Sequence, residues 1–449
     1  MELTTKAEPV FSEFKGLCGF CVSSFSALVS MVYKMGPITL FDKSFLQSLN
    51  VDESVWFDHF FLTNVCPLFY VETLADLEKN VRKGRTPEEE VGMIANKFPE
   101  MHGTPNAYHI DLCISNLIGN SVPMTGQIIV AGGHAVKVDG QTGTVFNKTP
   151  EAEAFSRWQK QKFVEVERLY ARAWRLALST LDLNEVAKGF RALGIDGKSC
   201  KSLEDAKNIA ESVVWDSQKP FDKIRLAIAF LNIPRHLHEP ILKRWSIANY
   251  PPLANYAPYA AYVLTVEIFF QVALAAHLIS CERPSNRTDI AYLYYLPFCM
   301  MFVSSDNLHK RCSSLFLRND QEFVWGQQLK TGLNDVNRHY SELPESTKEK
   351  GIMSFSDIPP KDDNILAQTW DRHFPNWRER KEPKLPNTPS QNEALVKDLK
   401  KFTDATPLAT DEIDFDPIDT DSLSIERSVR KRKGSWWQVP KDLEEGNNK

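Results

Sequence analysis

The chain has 449 residues, of which 43% are hydrophobic and 25% are charged. This composition supports two or three folded domains and excludes collagen-like and wholly disordered proteins. The 58 acidic residues outnumber the 53 Lys and Arg residues, which excludes a uniformly basic nucleic-acid coat protein. The eight cysteines are scattered along the chain, a pattern typical of a reducing compartment, and we expect a cytoplasmic protein.

Two apolar segments raise the question of a membrane. Residues 17–33 contain no charged side chain, and residues 259–280 are long enough to span a bilayer. The second segment carries Glu267 in its middle, where a carboxylate is costly in lipid. We therefore expect both to be buried or interfacial helices of a soluble protein, without stable membrane insertion. A membrane-associated protein is kept as an alternative.

The first part of the chain alternates strands and helices. A short buried strand over 37–41 ends at Asp42, and helices follow it. The nearly continuous apolar run 66–71 predicts a second strand, buried on both faces and ending at Glu72. Each of these acids is thus expected to close a strand and open a helix.

The middle of the chain is predicted to be mainly helical. Strands over 127–130 and 135–138 are expected to form a hairpin around a glycine turn. Apolar residues at helical spacing predict helices throughout 151–247. Residues 151–250 carry 17 Lys and Arg against 13 Asp and Glu, so this part is locally basic and suited to hold a phosphate backbone.

The strand–helix style returns after residue 258. A helix over 287–296 has Asp289 in its first turn, and the apolar strand 298–304 is followed by Asp306. A further short strand is predicted over 315–317. Two more acids therefore stand where an element begins or ends.

The composition changes after about residue 345. Several prolines punctuate the chain, and the acids between 402 and 426 are not interrupted by any Lys or Arg. A basic run, 427–433, follows, with Trp436 and Trp437 just beyond it. Separated blocks of charge bury little apolar surface, so we expect 381–449 to be mostly disordered.

The four acids Asp42, Glu72, Asp289 and Asp306 share one structural context. Any one of them alone is most simply a helix cap. In a parallel sheet, however, the carboxyl ends of strands meet at one edge, where sites form. Four carboxylates repel one another there unless a cation lies among them, and hard oxygen ligands suit Mg²⁺ or Mn²⁺.

The motifs around these acids carry a family resemblance. The segment Ile38–Leu46 resembles the opening strand of PIN-like nucleases of the bacterial type, and Phe69–Leu77 resembles their second acidic motif. The segment Asp289–Asp306 is similar to their third and fourth motifs, with Ser304 two positions before the final acid. The chain departs from a simple member of this family in the long helical stretch between its two halves.

The resemblance implies a three-layer α/β/α core around a parallel sheet. It further implies a Mg²⁺- or Mn²⁺-dependent endonuclease that cleaves single-stranded or structured RNA, or DNA, by in-line attack of a metal-activated water. RNA is favoured over DNA as the substrate, and a regulatory protein is a further expected partner. The expected catalytic and metal-binding residues are Asp42, Glu72, Asp289 and Asp306.

Four further residues are expected to support such a site. They are Ser304, His309, Asp76 and Glu267. For Glu267 two alternatives stay open, because a carboxylate in an apolar helix needs a partner. It either supports the metal site from behind or pairs with an Arg or Tyr in the core.

The expected domain organisation follows from these segments. Residues 1–80 form the first half of a PIN-like core, 81–258 form a hairpin and a largely helical insertion, 259–345 form the second half, and 346–449 form a Pro-rich, charged and largely disordered tail. An alternative function within the same fold is a non-catalytic scaffold or interaction protein.

Overall fold

The structure is a computed structural model, and it describes residues 36–79, 84–379, 400–415 and 420–442. The apolar segment 17–33 lies outside the described residues. What the structure does describe is an α/β fold in which a parallel sheet is surrounded by many helices.

The strands are short and belong to three sheets. In the described residues they are β1 (Ile38–Phe41), β2 (Leu62–Val65), β3 (Thr104–Pro105), β4 (His134–Val138), β5 (Gln141–Phe146), β6 (Met301–Ser304), β7 (Glu322–Trp325), β8 (Ser422–Ile425), β9 (Arg432–Lys433) and β10 (Trp436–Trp437). The main sheet has the order β3-β2-β1-β6-β7, and every neighbouring pair is parallel. β4 and β5 form an antiparallel hairpin that β8 extends in parallel, and β9 pairs with β10.

The helices account for most of the remaining ordered chain. In the described residues they are α1 (Lys43–Ser48), α2 (Val51–Phe60), α3 (Pro67–Leu74), α4 (Pro87–Ala95), α5 (His109–Leu117), α6 (Pro150–Trp158), α7 (Glu165–Thr180), α8 (Leu183–Ala192), α9 (Leu203–Val214), α10 (Pro220–Phe230), α11 (His238–Ile247), α12 (Leu253–Tyr256), α13 (Pro258–Ala275), α14 (Asn286–Ala291), α15 (Asn307–Phe316), α16 (Gly326–Ser341), α17 (Glu345–Lys348) and α18 (Ile365–His373). Short 3-10 segments continue α3 over Ala75–Glu78 and α14 over Tyr292–Phe298. The predicted helical character of the middle segment is confirmed.

Local sequence signals explain where the first helices begin. The Asp42 side chain accepts a hydrogen bond from the Phe45 N–H and so caps α1. Asn50 and Glu53 form a reciprocal capping box at the start of α2. These caps confirm the predicted succession of strand, short helix and second helix at the start of the core.

The main sheet is covered on both faces. All four residues of β1 are fully buried, as expected for a strand in the middle of a parallel sheet. On one side, Phe57 of α2 packs edge-on against Phe41 at 5.5 Å between ring centroids, and α2 contacts α16. Phe269 of α13 packs against Phe316 of α15 at 5.1 Å, and α13 also contacts α5. The helices therefore enclose the sheet and fix the position of its edges.

Helix α13 is the apolar helix predicted within 259–280. Among the described residues it is the one helix long and apolar enough to cross a membrane, but 83% of it is buried inside the molecule. Helices α5, α8 and α9 pack around it. The expected burial of this segment is confirmed, and its apolar composition is accounted for by the core.

The predicted strand over 66–71 is wrong. These residues belong to α3, and the strand lies just before them as β2. Pro67 occupies the first turn of the helix, where its missing N–H costs nothing and its fixed φ favours helical geometry. The true strand was concealed because its central residues, Thr63 and Asn64, are polar although fully buried.

The predicted hairpin is only half correct. The segment 127–130 is not a strand, and β4 instead pairs with β5. The turn between them is Asp139-Gly140, and both residues have positive φ, 51° and 82°. An Asp-Gly pair in this conformation is the preferred connection of a two-residue hairpin because its twist matches that of the strands.

Two predictions near the second half of the core also change. The predicted strand 315–317 is the end of α15 and the residue after it, and the last strand of the sheet is β7. The predicted helix 287–296 starts as α14, which then tightens into the 3-10 segment that continues to Phe298. The predicted strand before Asp306 is confirmed as β6.

The prediction of a largely disordered tail over 346–449 is wrong for 346–379, where α18 buries Trp370, and for 400–415 and 420–442. β8 extends the β4–β5 hairpin, and Trp436 is only 1% exposed, with its ring 4.7 Å from that of Trp56. Lys433, the last residue of the basic run, is also buried, and it donates a hydrogen bond to a main-chain carbonyl at 2.9 Å. A cationic side chain can therefore be buried when it has hydrogen-bond or ion-pair partners. Amino-acid composition alone does not reveal such partners.

Candidate active site at the carboxyl edge of the sheet

The site lies where the order of strands in the main sheet reverses. From β1 the chain continues to β2 and β3 on one side, whereas β6 and β7 lie on the other. In open parallel sheets this reversal opens a crevice beyond the carboxyl ends of the two central strands, and ligands bind there. Asp42 follows β1 directly, and Ser304 ends β6.

Asp42 is the most firmly held of the four acids. Its Oδ1 accepts the N–H of Phe45 at 2.9 Å, and its Oδ2 accepts the hydroxyls of Ser44 at 2.6 Å and Ser304 at 2.8 Å. Burial by itself raises the pKa of Asp42, but the hydrogen bond and charge of His309, together with the other donors, lower it below its ordinary value. Asp42 is therefore an ionised anchor that joins the ends of β1 and β6.

His309 supplies the positive charge at the centre of the site. Its Nδ1 lies 2.8 Å from the Ser304 hydroxyl and 3.4 Å from Oδ2 of Asp42, and its Nε2 lies 2.7 Å from the carbonyl oxygen of Asp289. Burial lowers the pKa of His309, but Asp42 and Asp289 outweigh burial and raise it to about 9. With both nitrogens next to acceptors, the ring is a buried imidazolium at neutral pH.

Asp306 caps the helix that follows β6. Its Oδ1 accepts the N–H of Leu308 at 2.6 Å and that of His309 at 3.4 Å, while its own N–H donates to the Ser304 hydroxyl at 2.9 Å. Its Oδ2 accepts no hydrogen bond from the described residues. One carboxylate oxygen is thus structural, and the other is available at the sheet edge.

Glu72 reaches the site from a helix rather than from a strand end. It lies on α3, and its Oε2 accepts the hydroxyl of Tyr292 at 2.5 Å. Burial raises the pKa of Glu72, and the charge of Asp42 adds to this, although Lys43 and Tyr292 oppose it. The predicted context of this residue was wrong, but its side chain still joins the same group of charges.

Asp289 is the least compensated acid of the group. Its carboxylate forms no hydrogen bond or ion pair with any described residue. Burial raises the pKa of Asp289 to about 7, and the charges of Glu72, Asp306 and Asp42 add to this effect while His309 opposes it. The four predicted acids therefore form one electrostatic group, which we call the acid cluster, despite the 247 positions between Asp42 and Asp289.

Asp76 adds no uncompensated negative charge to the acid cluster. It is buried and forms ion pairs with Lys43 at 2.9 Å and Arg175 at 3.1 Å. Lys43 also donates to the main-chain carbonyl of Glu72 at 3.0 Å. Asp76 thus fixes the end of α3 against α7, and its charge is neutralised by cations of the chain.

Glu267 pairs with an Arg and a Tyr in the core, which is one of the two alternatives stated for it above. It pairs with Arg287 at 2.5 Å and accepts the hydroxyl of Tyr294. Burial alone lowers the pKa of Arg287, but Glu267 and Tyr294 raise it above its ordinary value. Because Arg287 lies two residues before Asp289 on α14, this pair also fixes the helix that carries the least compensated acid.

The donor set of the acid cluster fits a hard divalent cation in its chemistry. It consists of carboxylate oxygens, several of which have no donor among the described residues. Within the described part of the chain, no three His, Cys, Asp or Glu side chains are placed as ligands of one ion. Mg²⁺ is commonly held by one or two carboxylates and several waters, so a site with few direct ligands matches this arrangement.

Three residues of the site were not predicted from the sequence. Ser44 and Tyr292 donate to acids of the cluster, and Lys43 lies beside Glu72. Sequence position alone could have indicated two of them. Ser44 lies in the first helical turn, which Asp42 caps, and Tyr292 is three positions from Asp289, on the same helical face. The partner of Tyr292, however, is 220 positions away.

Comparison with known proteins does not assign the chain to a family. No family model, curated protein or solved structure matches it. The function of the acid cluster is therefore argued from its own geometry and charge.

Proposed function

We propose that the protein is a PIN-like, metal-dependent nuclease that hydrolyses phosphodiester bonds of RNA or DNA at the acid cluster. The observation that carries the proposal is Asp289, a largely buried carboxylate with no donor among the described residues and three acids as its electrostatic neighbours. Such a group is unfavourable in a protein unless a cation or a reaction makes use of it. The parallel sheet and the position of the cluster at its switch point support the same proposal.

The balance of charge favours a cation at this edge. Four carboxyl groups are opposed by one buried imidazolium and by Lys43, whose charge is shared with Asp76. The oxygens without donors belong to Asp289, Glu72 and Asp306, and one or two of these carboxylates would hold Mg²⁺ or Mn²⁺ together with waters. Bound there, the ion would supply Lewis-acid assistance to phosphodiester hydrolysis.

The other residues position those oxygens. Asp42 and Ser304 tie the two central strands together, and His309 holds the main-chain carbonyl of Asp289 at 2.7 Å. This bond fixes α14 relative to the sheet edge. In this proposal Asp42 acts mainly by holding the site together, whereas Asp289 and Asp306 face the substrate.

The test is cleavage by charge-neutral variants. Asp289→Asn and Asp306→Asn keep shape and capping ability but remove a ligand charge, so each should lose most cleavage of single-stranded RNA and DNA in Mn²⁺. The matched control is Asp320→Asn, an exposed acid paired with Arg318 outside the cluster. Cleavage by either cluster variant at the wild-type rate would contradict the assignment.

A second candidate is a non-catalytic interaction protein with the same fold. It is favoured by His309, whose charge already compensates Asp42 without any metal, and by the absence of a three-residue ligand group in the described chain. Calorimetric titration with Mn²⁺ alongside the cleavage assay separates the two. Metal binding with no cleavage of either nucleic acid favours the interaction protein.

A further inference from the structure

A group of aromatic rings lies at the surface formed by α10, α11 and the loop after α11. Trp245 is buried, whereas Phe221 and Tyr250 leave 50% and 55% of their surface exposed. The ring centroid of Trp245 is 6.1 Å from that of Phe221 and 5.0 Å from that of Tyr250. One buried indole thus holds two exposed rings. We call these three residues the aromatic platform.

The backbone around Tyr250 is unusual for an aromatic residue. Asn249 and Tyr250 both have left-handed conformations, with φ of 66° and 54°. Asn is common after a helix in this conformation, but a bulky side chain is rare there. The loop is held by hydrogen bonds from the Tyr250 N–H to the Trp245 carbonyl at 3.2 Å and from the Trp245 indole to the Pro251 carbonyl at 2.8 Å. Backbone outliers fixed in this way are concentrated at ligand-binding sites.

The segment of the chain that carries the aromatic platform is basic. Residues 219–250 contain six Lys and Arg but only two Asp and Glu. The Arg225 guanidinium lies 5.7 Å from the centre of the Phe221 ring. Arg225, Lys243 and Arg244 form no ion pair with any residue that the structure describes. The surface therefore combines exposed rings with a guanidinium, Arg225, that forms no ion pair with a described acid.

We propose that the aromatic platform binds an unpaired stretch of a nucleic-acid strand. Bases would stack on Phe221 and Tyr250, and the phosphates between them would lie near Arg225. Stacking accepts any base but requires that the base be unpaired, and nearby cations follow the backbone. The inference rests on the proposed function for its substrate class and adds a surface, separate from the acid cluster, that holds the strand.

Along the chain, the aromatic platform leads towards the amino edge of the main sheet. The loop after α11 leads through α12 into α13, whose first turn carries Tyr259. The ring of Tyr259 lies 5.1 Å from that of Phe298, which comes before β6 begins. The platform therefore connects to the amino edge of the sheet, whereas the acid cluster lies at the carboxyl edge.

The test is binding of fluorescein-labelled oligonucleotides of about 15 residues, longer than one stacking surface needs, measured by anisotropy with the full chain in EDTA. The double variant Phe221→Leu/Tyr250→Leu keeps an apolar surface but removes both rings, and its affinity for oligouridylate and oligothymidylate should fall about tenfold or more. Arg225→Gln should weaken binding and reduce its dependence on salt. Leu176→Ala is the control, since this leucine is exposed on α7 outside the platform.

The outcomes separate this inference from the nuclease proposal. Wild-type affinity in the leucine double variant, equal binding of single strands and duplexes, or no binding of single strands would each overturn it. Ring-dependent binding by a wild-type chain that cleaves nothing would support the platform and refute the nuclease. Cleavage with ring-independent binding would refute the platform alone.

Discussion

Replacing Asp289 by Asn should make the protein more stable at alkaline pH. The pKa of Asp289 is raised from an ordinary value of 3.8 to about 7 by burial and by the surrounding carboxylates. A carboxyl group whose pKa is raised on folding binds its proton more tightly in the folded state, so the stability of the wild type falls as pH rises from 3.8 to 7. The uncharged Asn does not carry this cost.

The size of the effect follows from the shift. One pKa unit corresponds to about 1.4 kcal/mol, so full ionisation of Asp289 costs the folded state at most about 4 kcal/mol. Because part of the side chain reaches solvent and its neighbours can relax, we expect about 1–3 kcal/mol at pH 8. At pH 5 only part of the range between pH 3.8 and pH 7 has been crossed. The variant should therefore exceed the wild type in stability by about 1–2 kcal/mol less than it does at pH 8.

The assay is urea denaturation of both proteins at pH 5 and pH 8 in EDTA. Glu282→Gln is the control, because Glu282 is an exposed acid in the loop before α14 and should give the same small difference at both pH values. Added Mn²⁺ should stabilise the wild type by about 2.7 kcal/mol at a hundredfold excess over its Kd, and the variant by less. An Asp289→Asn variant that is less stable than the wild type at pH 8 would refute the charge argument.

Three further outcomes test the rest of the structure. Trp436→Ala should lower the free energy of unfolding in urea by about 3–5 kcal/mol, because a fully buried ring is removed; a loss below about 1 kcal/mol would show that the tail does not pack on the body. Glu267→Ala should cost about 1–3 kcal/mol, because it removes the acceptor of Tyr294 and the ion-pair partner of the partly exposed Arg287, and wild-type stability in denaturation would contradict that pairing. Burial lowers the pKa of His59 to about 4 and that of His109 to about 3, so the unfolded state binds more protons and stability should fall as pH drops below about 6.5; His109→Gln should flatten this dependence in denaturation at several pH values.

The parts of the site that the sequence predicted depend on short-range signals. β1 and β6 are apolar runs, and each is followed by an acid that caps the next helix, Asp42 and Asp306. Both the run and the cap are recognisable within about ten residues of chain, since they reflect strand burial and unsatisfied N–H groups. Asp289 was found for the same reason, as an acid in the first turn of a helix.

The parts that could not be predicted depend on contacts between distant residues. The raised pKa of His309 requires Asp42, which is 267 positions away. The order of the tail depends on acceptors elsewhere, such as Glu100, which pairs with Arg430 at 2.7 Å. Without those partners, a basic segment is indistinguishable by composition from a solvated one. In the same way, the polar residues inside β2 concealed that strand, because their burial is not visible in the local sequence.

The order of strands in the main sheet determines when the acid cluster can form during synthesis. β1 pairs with β2 soon after both are made, but its other neighbour, β6, begins at Met301. Asp42 and Asp306 are 264 positions apart (306 minus 42), a delay of about 13–50 s at the usual 5–20 residues per second of translation. A chain ended by a premature stop before β6 contains Asp42 and Glu72 but lacks the strand and imidazole that hold them together. Translation beyond His309 is therefore a precondition for any chemistry at this edge.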